Sequence, residues 1–193
     1  MVARARRECR INGEQMMDGP LLVVDVQQGF INEFTRHIPE RVATLIDQHE
    51  YAPVLFTQFI NVEDGPFQRF VGWRECASEP ETDIVPELVS LASDERTFSK
   101  PGFAGISDDL GAYLKAEQID RITIVGIDTD MCVLKVALDI FDLTIEPFVL
   151  ADCCASTAGL QAHLAGLAVL ARNIGADHLR DAGLSGGHLA APM

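Results

Sequence analysis

Lysine is scarce in this chain: three lysines stand beside twelve arginines, and these 15 basic residues face 29 acidic ones, for a net charge of −14 at pH 7. Such a balance argues against roles that depend on neutralising phosphates or anionic lipid, so neither nucleic acid nor a membrane is an expected partner. Long apolar runs are missing as well. Among the longest is residues 164–171, far short of the ~20 residues that cross a bilayer. After Arg4, Arg6, Arg7 and Arg10 the chain continues Ile11-Asn12-Gly13-Glu14, without the apolar stretch of a secretory signal. The five cysteines, Cys9, Cys76, Cys132, Cys153 and Cys154, contain no Cys-x-x-Cys spacing. That pattern fits reduced thiols in a cytoplasmic protein better than a disulfide frame or a zinc site. The histidines (His37, His49, His163, His178, His188) show no ligand spacing either, so no metal and no cofactor is expected.

What is present is enough apolar material for one sizeable core: 48% of 193 residues are hydrophobic. Short apolar runs alternate with amphipathic stretches, the pattern of βα units feeding a parallel sheet. Leu21-Leu22-Val23-Val24, Val54-Leu55-Phe56-Thr57, Arg121-Ile122-Thr123-Ile124-Val125 and Ile145-Glu146-Pro147-Phe148-Val149-Leu150 read as strands, with shorter ones at residues 96–99 and 176–179. Helical spacing covers residues 38–50, 108–118 and 131–143. A further helix is expected from a Thr157 cap through Asn173, with Gly175 as its stop. The expectation is an α/β fold of three layers, a six-stranded and mostly parallel sheet with helices on both faces. One domain over residues 20–182 is expected between an Arg-rich tail (1–19), read as solvated, and a carboxyl-terminal tail (183–193). Residues 59–86 hold Gly65, Pro66, Gly72, Pro80 and the only tryptophan, Trp73, a loop long enough to be functional.

In an open parallel sheet, ligands gather beyond the carboxyl ends of the strands. Three polar residues end or follow apolar runs there: Asp25, Lys100, and Cys132 six residues past Gly126. Each has a bland reading, respectively a turn aspartate, a surface lysine and a small buried hydrophobe. Together they place an acid, an amine and a thiol on one rim. The strand-to-helix turn Gly126-Ile127-Asp128-Thr129-Asp130-Met131-Cys132 would set the sulfur near a helix start. A dipole and a lysine there would lower an ordinary thiol of pKa ~8.5 to ~6 and leave it ~90% thiolate at pH 7.

These motifs resemble the isochorismatase-like cysteine hydrolases, the superfamily of nicotinamidases, carbamoylsarcosine amidohydrolases and isochorismatases. The resemblance spans about residues 21–182 and rests on Val24-Asp25-Val26-Gln27-Gln28-Gly29-Phe30, Phe98-Ser99-Lys100-Pro101-Gly102-Phe103 and Gly126-Ile127-Asp128-Thr129-Asp130-Met131-Cys132. It implies an Asp25–Lys100–Cys132 triad in which the thiol attacks a carbonyl, Asp25 carries the proton and Lys100 balances charge. It also implies an oxyanion hole from the backbone N–H groups of Asp128 and Cys132, and a cis peptide between Ile127 and Asp128. A homo-oligomer, dimer or tetramer, is implied as well.

The substrate wall is assigned to Gln27, Phe30, Phe67, Trp73, Phe103 and Thr129, with Phe70, Asp128 and Asp130 as further candidates. Arg69 and Arg74 are candidates for a substrate carboxylate, and Cys153-Cys154 are read as packing. Metal-dependent nicotinamidases carry Asp-x-His and further histidines after the second strand, whereas Phe59-Ile60-Asn61-Val62-Glu63-Asp64 has no histidine. The leading expectation is therefore metal-free, cysteine-dependent cleavage of a C–N bond in a small amide or ureido substrate through a thioester. Vinyl ether hydrolysis, which needs no thiol, and a non-catalytic domain that binds a small molecule or a partner are the competing readings.

Overall fold

The computed structural model describes residues 9–11, 14–16 and 19–184. Within the expected amino-terminal tail, β1 (Cys9–Ile11) pairs antiparallel with β2 (Glu14–Met16). The rest of that tail, up to residue 18, and residues 185–193 of the expected carboxyl-terminal tail lie outside the described residues.

The main sheet begins with β3 (Leu21–Val24), four valine or leucine residues that are all fully buried. A strand covered on both faces needs such an unbroken apolar run. It is followed by α1 (Ile38–Gln48), β4 (Val54–Ile60), the short α2 (Pro86–Val89), β5 (Thr97–Pro101), α3 (Asp108–Ala116), β6 (Arg121–Ile127), α4 (Leu134–Asp142), β7 (Glu146–Ala155), α5 (Leu160–Ile174) and β8 (Leu179–Arg180). The strand order is β5-β4-β3-β6-β7-β8 and every pairing is parallel. This is the expected six-stranded α/β architecture.

Alternation along the strands divides the core into two. Leu21, Val23, Phe56 and Val125 pack on one face with Ile38, Val42 and Leu45 of α1 and Leu88 of α2. Leu22, Val24, Leu55 and Ile124 pack on the other with Leu110 and Leu114 of α3, Val136 and Ile140 of α4 and Leu170 of α5. Two helix layers therefore clamp one sheet.

Three local expectations change. The strand expected at residues 176–179 is a 3-10 turn over Ala176–His178, with β8 confined to Leu179–Arg180. The third helix does not begin at Met131, because a single wide turn, a π-helix over Thr129–Val133, precedes α4. Thr157 does not cap α5. The N-cap is Gly159, while the backbone N–H and hydroxyl of Thr157 both donate to the Asp128 carboxylate. Gly175, at φ +97°, ends α5 as expected.

Candidate active site

The site forms where the direction of winding reverses. The chain moves outward from β3 through β4 to β5, then returns to the opposite side of β3 with β6, so a crevice opens beyond the carboxyl ends of β3 and β6. Gly126 permits the close approach there: a Cβ at this residue, whose φ is +132°, would lie 2.1 Å from the Val24 carbonyl oxygen. Asp25, the residue after β3, and the turn after β6 are thereby brought side by side. The peptide between Ile127 and Asp128 is cis.

Asp25 is fully buried at φ +50°. One carboxylate oxygen accepts the Thr57 hydroxyl at 2.6 Å, and the other lies 2.7 Å from the Lys100 Nζ. Lys100, on β5, is 1% exposed, and its ammonium stands 5.4 Å from the Phe59 ring centroid. Burial opposes its charge, but the carboxylate of Asp25 and the thiol of Cys132, both interacting with the ammonium, outweigh burial and raise its pKa. The Cys132 thiol, 7% exposed, interacts with both Asp25 and Lys100. The three residues chosen from the sequence thus meet at one buried point.

The ionisation of the thiol reverses the expectation. Burial first and the Asp25 charge second push the Cys132 thiol well above its ordinary range, with Lys100 offsetting part of the rise. A helix start does not depress it, because the sulfur sits in the wide π-turn, is desolvated and faces a carboxylate. Such surroundings favour the protonated sulfur, with the Asp25 carboxylate interacting with it.

Phe30, Phe67, Trp73 and Phe103 join around a residue that sequence reasoning passes over, Phe59. Its ring centroid lies 5.8 Å from Phe30, 5.6 Å from Phe67 and 5.7 Å from Trp73, while Phe103 meets Phe67 at 6.0 Å. Its one signal is a strand-end position on β4, one strand from Lys100. Thr57, two residues earlier on β4, escapes notice for the same reason. Phe70 is 79% exposed and stacked by Arg69. Arg74 donates to Gln68 at 3.2 Å.

Gln27 and Thr129 serve as supports. The Gln27 amide donates to the carbonyls of Phe59 and Thr82 and accepts the Phe59 N–H, fixing the end of β4 against β3. Thr129 is fully buried, with its hydroxyl 2.8 Å from His163 Nδ1 on α5. The Asp128 carboxylate is held by Thr157, and burial raises its pKa to about 6 against that bonding, with Asp130 and Asp25 adding to the rise. Asn61, in the segment after β4 that has no histidine, donates to the carbonyls of Trp73 and Glu75. Among the described residues, no three His, Cys, Asp or Glu side chains are grouped so as to hold a metal ion, and no helix is long and apolar enough to cross a membrane. Cys153 and Cys154 are buried in the two cores, as read.

Comparison with known proteins agrees with this frame. Residues 20–179 match the Isochorismatase domain family. An isochorismatase domain-containing protein 2 of Rattus norvegicus is 34% identical over 88 residues, covering 46% of this chain and 39% of that protein. The chain thus aligns with well under half of that relative's length. Among solved structures, an isochorismatase-like hydrolase from Alkaliphilus metalliredigens superposes with a TM-score of 0.70 at 21% identity, over 86% of this chain and 92% of that one. A nicotinamidase from Bacillus subtilis gives 0.70 at 20% identity, over 86% and 100%. An N-carbamoylsarcosine amidase from Thermoplasma acidophilum gives 0.68 at 19%, over 89% and 100%.

Proposed function

We propose that this chain, which belongs to the isochorismatase family, is a cysteine hydrolase that cleaves a C–N bond in a small amide or ureido substrate. The observation that carries the reading is the buried ion pair of Asp25 and Lys100, 2.7 Å apart, against the Cys132 thiol at the switch point of the sheet. A protonated sulfur beside a fixed carboxylate is a nucleophile with its own base.

In this mechanism Asp25 takes the thiol proton as the sulfur attacks the carbonyl carbon. The new C–S bond places charge on the carbonyl oxygen, which the backbone N–H groups of Asp128 and Cys132 receive. Collapse breaks the C–N bond, and Asp25 returns its proton to the leaving nitrogen. A water then gives a proton to Asp25 and its oxygen to the thioester carbon; the C–S bond breaks and the sulfur regains the proton. Throughout, Lys100 holds Asp25 in place and balances its charge between proton transfers. Thr57 orients the carboxylate by its hydrogen bond.

The test is ammonia release from a panel of small amides, ureido compounds and nicotinamide by the wild type and Cys132→Ala. Release by the wild type and none by a folded Cys132→Ala variant is expected. Full activity in that variant would refute the nucleophile. Vinyl ether cleavage that survives Cys132→Ala and is lost in Asp25→Asn would replace this reading by ether hydrolysis.

A further inference from the structure

We propose that His163 is a positioning residue for the nucleophile: through the buried hydroxyl of Thr129 it holds the turn after β6 in the shape that presents the Cys132 thiol. Its consequence for turnover rests on the hydrolase reading, whereas its consequence for the thiol does not.

Three consecutive residues of that turn are met in order by the segment leading into α5 and by α5 itself. Thr157, ahead of the helix, donates its N–H and its hydroxyl to the Asp128 carboxylate. His163, at the start of α5, places Nδ1 2.8 Å from the Thr129 hydroxyl. Gly166, further along the helix, lies so close to the Asp130 backbone that a Cβ there would come within 2.8 Å of it. Cys132 follows two residues later in the same π-turn. The N-cap of α5 is Gly159, which has no side chain to cap with, so the bond from His163 ties the beginning of the helix sideways to the turn.

Thr129 is fully buried, and its hydroxyl therefore depends on a partner inside the protein. The imidazole suits that task. Burial first and His37 second hold its pKa below the ordinary range, against the opposite pull of Asp130. A neutral ring pairs with a hydroxyl in either tautomer, as donor or as acceptor at Nδ1. Without the ring, the turn either keeps an unpaired hydroxyl or shifts toward another partner, and Cys132 shifts with it. The thiol is only 7% exposed, so loosening the turn opens it to reagents.

Alkylation by iodoacetamide tests this, read at each cysteine by peptide mass spectrometry in the full chain at a temperature where the variants are folded. His163→Ala and the near-isosteric Thr129→Val are each expected to speed alkylation of Cys132 several-fold, while Cys153 and Cys154, buried in the two cores, keep their wild-type rates. The double variant should be no faster than the faster single one, because both substitutions remove the same bond. His163→Asn, whose amide can take the place of Nδ1, should restore the wild-type rate. On any panel amide that the wild type hydrolyses, kcat should fall about tenfold to a hundredfold in His163→Ala with KM little changed, and recover in His163→Asn. An unchanged or slower Cys132 rate in His163→Ala, a parallel rise at Cys153 and Cys154, additive effects in the double variant, or no rescue in His163→Asn would overturn the inference. A selective and rescued change at Cys132, with no ammonia released by the wild type from any panel member, would uphold the positioning and remove the hydrolase reading instead.

Discussion

Cys132 and Asp25 are best considered as one unit, since each sets what the other can do. The thiol is raised by burial and by the carboxylate, and lowered by Lys100. Replacing Asp25 with Asn removes a raising charge and leaves the lysine, so the thiol of the variant should ionise at lower pH than that of the wild type. In the proposed mechanism the same substitution also removes the proton carrier. Two readouts should therefore separate: alkylation of Cys132 by iodoacetamide at pH 7 to 8 should be faster in Asp25→Asn, about tenfold for each pH unit of downward shift. Turnover should fall by roughly 10²- to 10⁴-fold, the usual contribution of general acid–base catalysis. Slower alkylation in the variant would mean that Asp25 promotes ionisation in the resting enzyme, so that proton transfer precedes the attack instead of accompanying it. None of this is visible in the chain as a string. Lys100 and Cys132 can be picked out as residues that end or follow strands, but the direction of the thiol shift depends on a carboxylate more than a hundred positions away in sequence and on burial that only the folded packing supplies.

At the scale of elements, the placement of Cys132 depends on how α5 seats against the turn after β6. Gly166 of α5 faces that turn: a Cβ there would come within 2.8 Å of the Asp130 backbone N and Cα and 2.9 Å of the Thr129 carbonyl carbon. These are backbone atoms and cannot swing aside, so Gly166→Ala must push the helix and the turn apart. Overpacking of this kind costs about 1–3 kcal/mol, and the displaced turn holds Cys132. We expect a lower thermal midpoint and a turnover loss larger than the stability loss accounts for at a temperature where the variant is folded. Unchanged turnover with a lowered midpoint would show that the turn holds its shape without α5. Parts of this arrangement are legible in the sequence. The apolar runs of β3 and β6 identify themselves because strands buried on both faces admit little else, and Gly175 marks the end of α5. Thr157 misleads because a threonine ahead of an apolar run looks like a cap, whereas its donors are drawn to the Asp128 carboxylate. The π-turn leaves no periodic trace, since five residues are too few to show one.

Across the whole molecule, the order β5-β4-β3-β6-β7-β8 fixes where chemistry sits, and the distribution of potential metal ligands bears on what kind it is. His37 precedes α1, His49 follows it, His163 lies on α5 and His178 leads into β8. They are spread over separate elements, and His163 is held by Thr129. At the end of β4, beside Lys100 of β5, stand Phe59 and Asn61. Phe59 offers only a ring, and the Asn61 amide nitrogen is taken up by the Trp73 and Glu75 carbonyls, which fix the loop instead. Charge balance in the site needs no divalent ion either, since Lys100 already pairs with Asp25. Prolonged dialysis against a strong chelator should therefore leave C–N hydrolysis unchanged, and added zinc or iron should not raise it. Metal analysis of the dialysed protein should show far less than one equivalent per chain. A loss of activity on chelation that returned with one particular metal would mean that ligands converge from these scattered positions in the working enzyme, and Lys100 would then share with that ion the task of balancing the Asp25 charge.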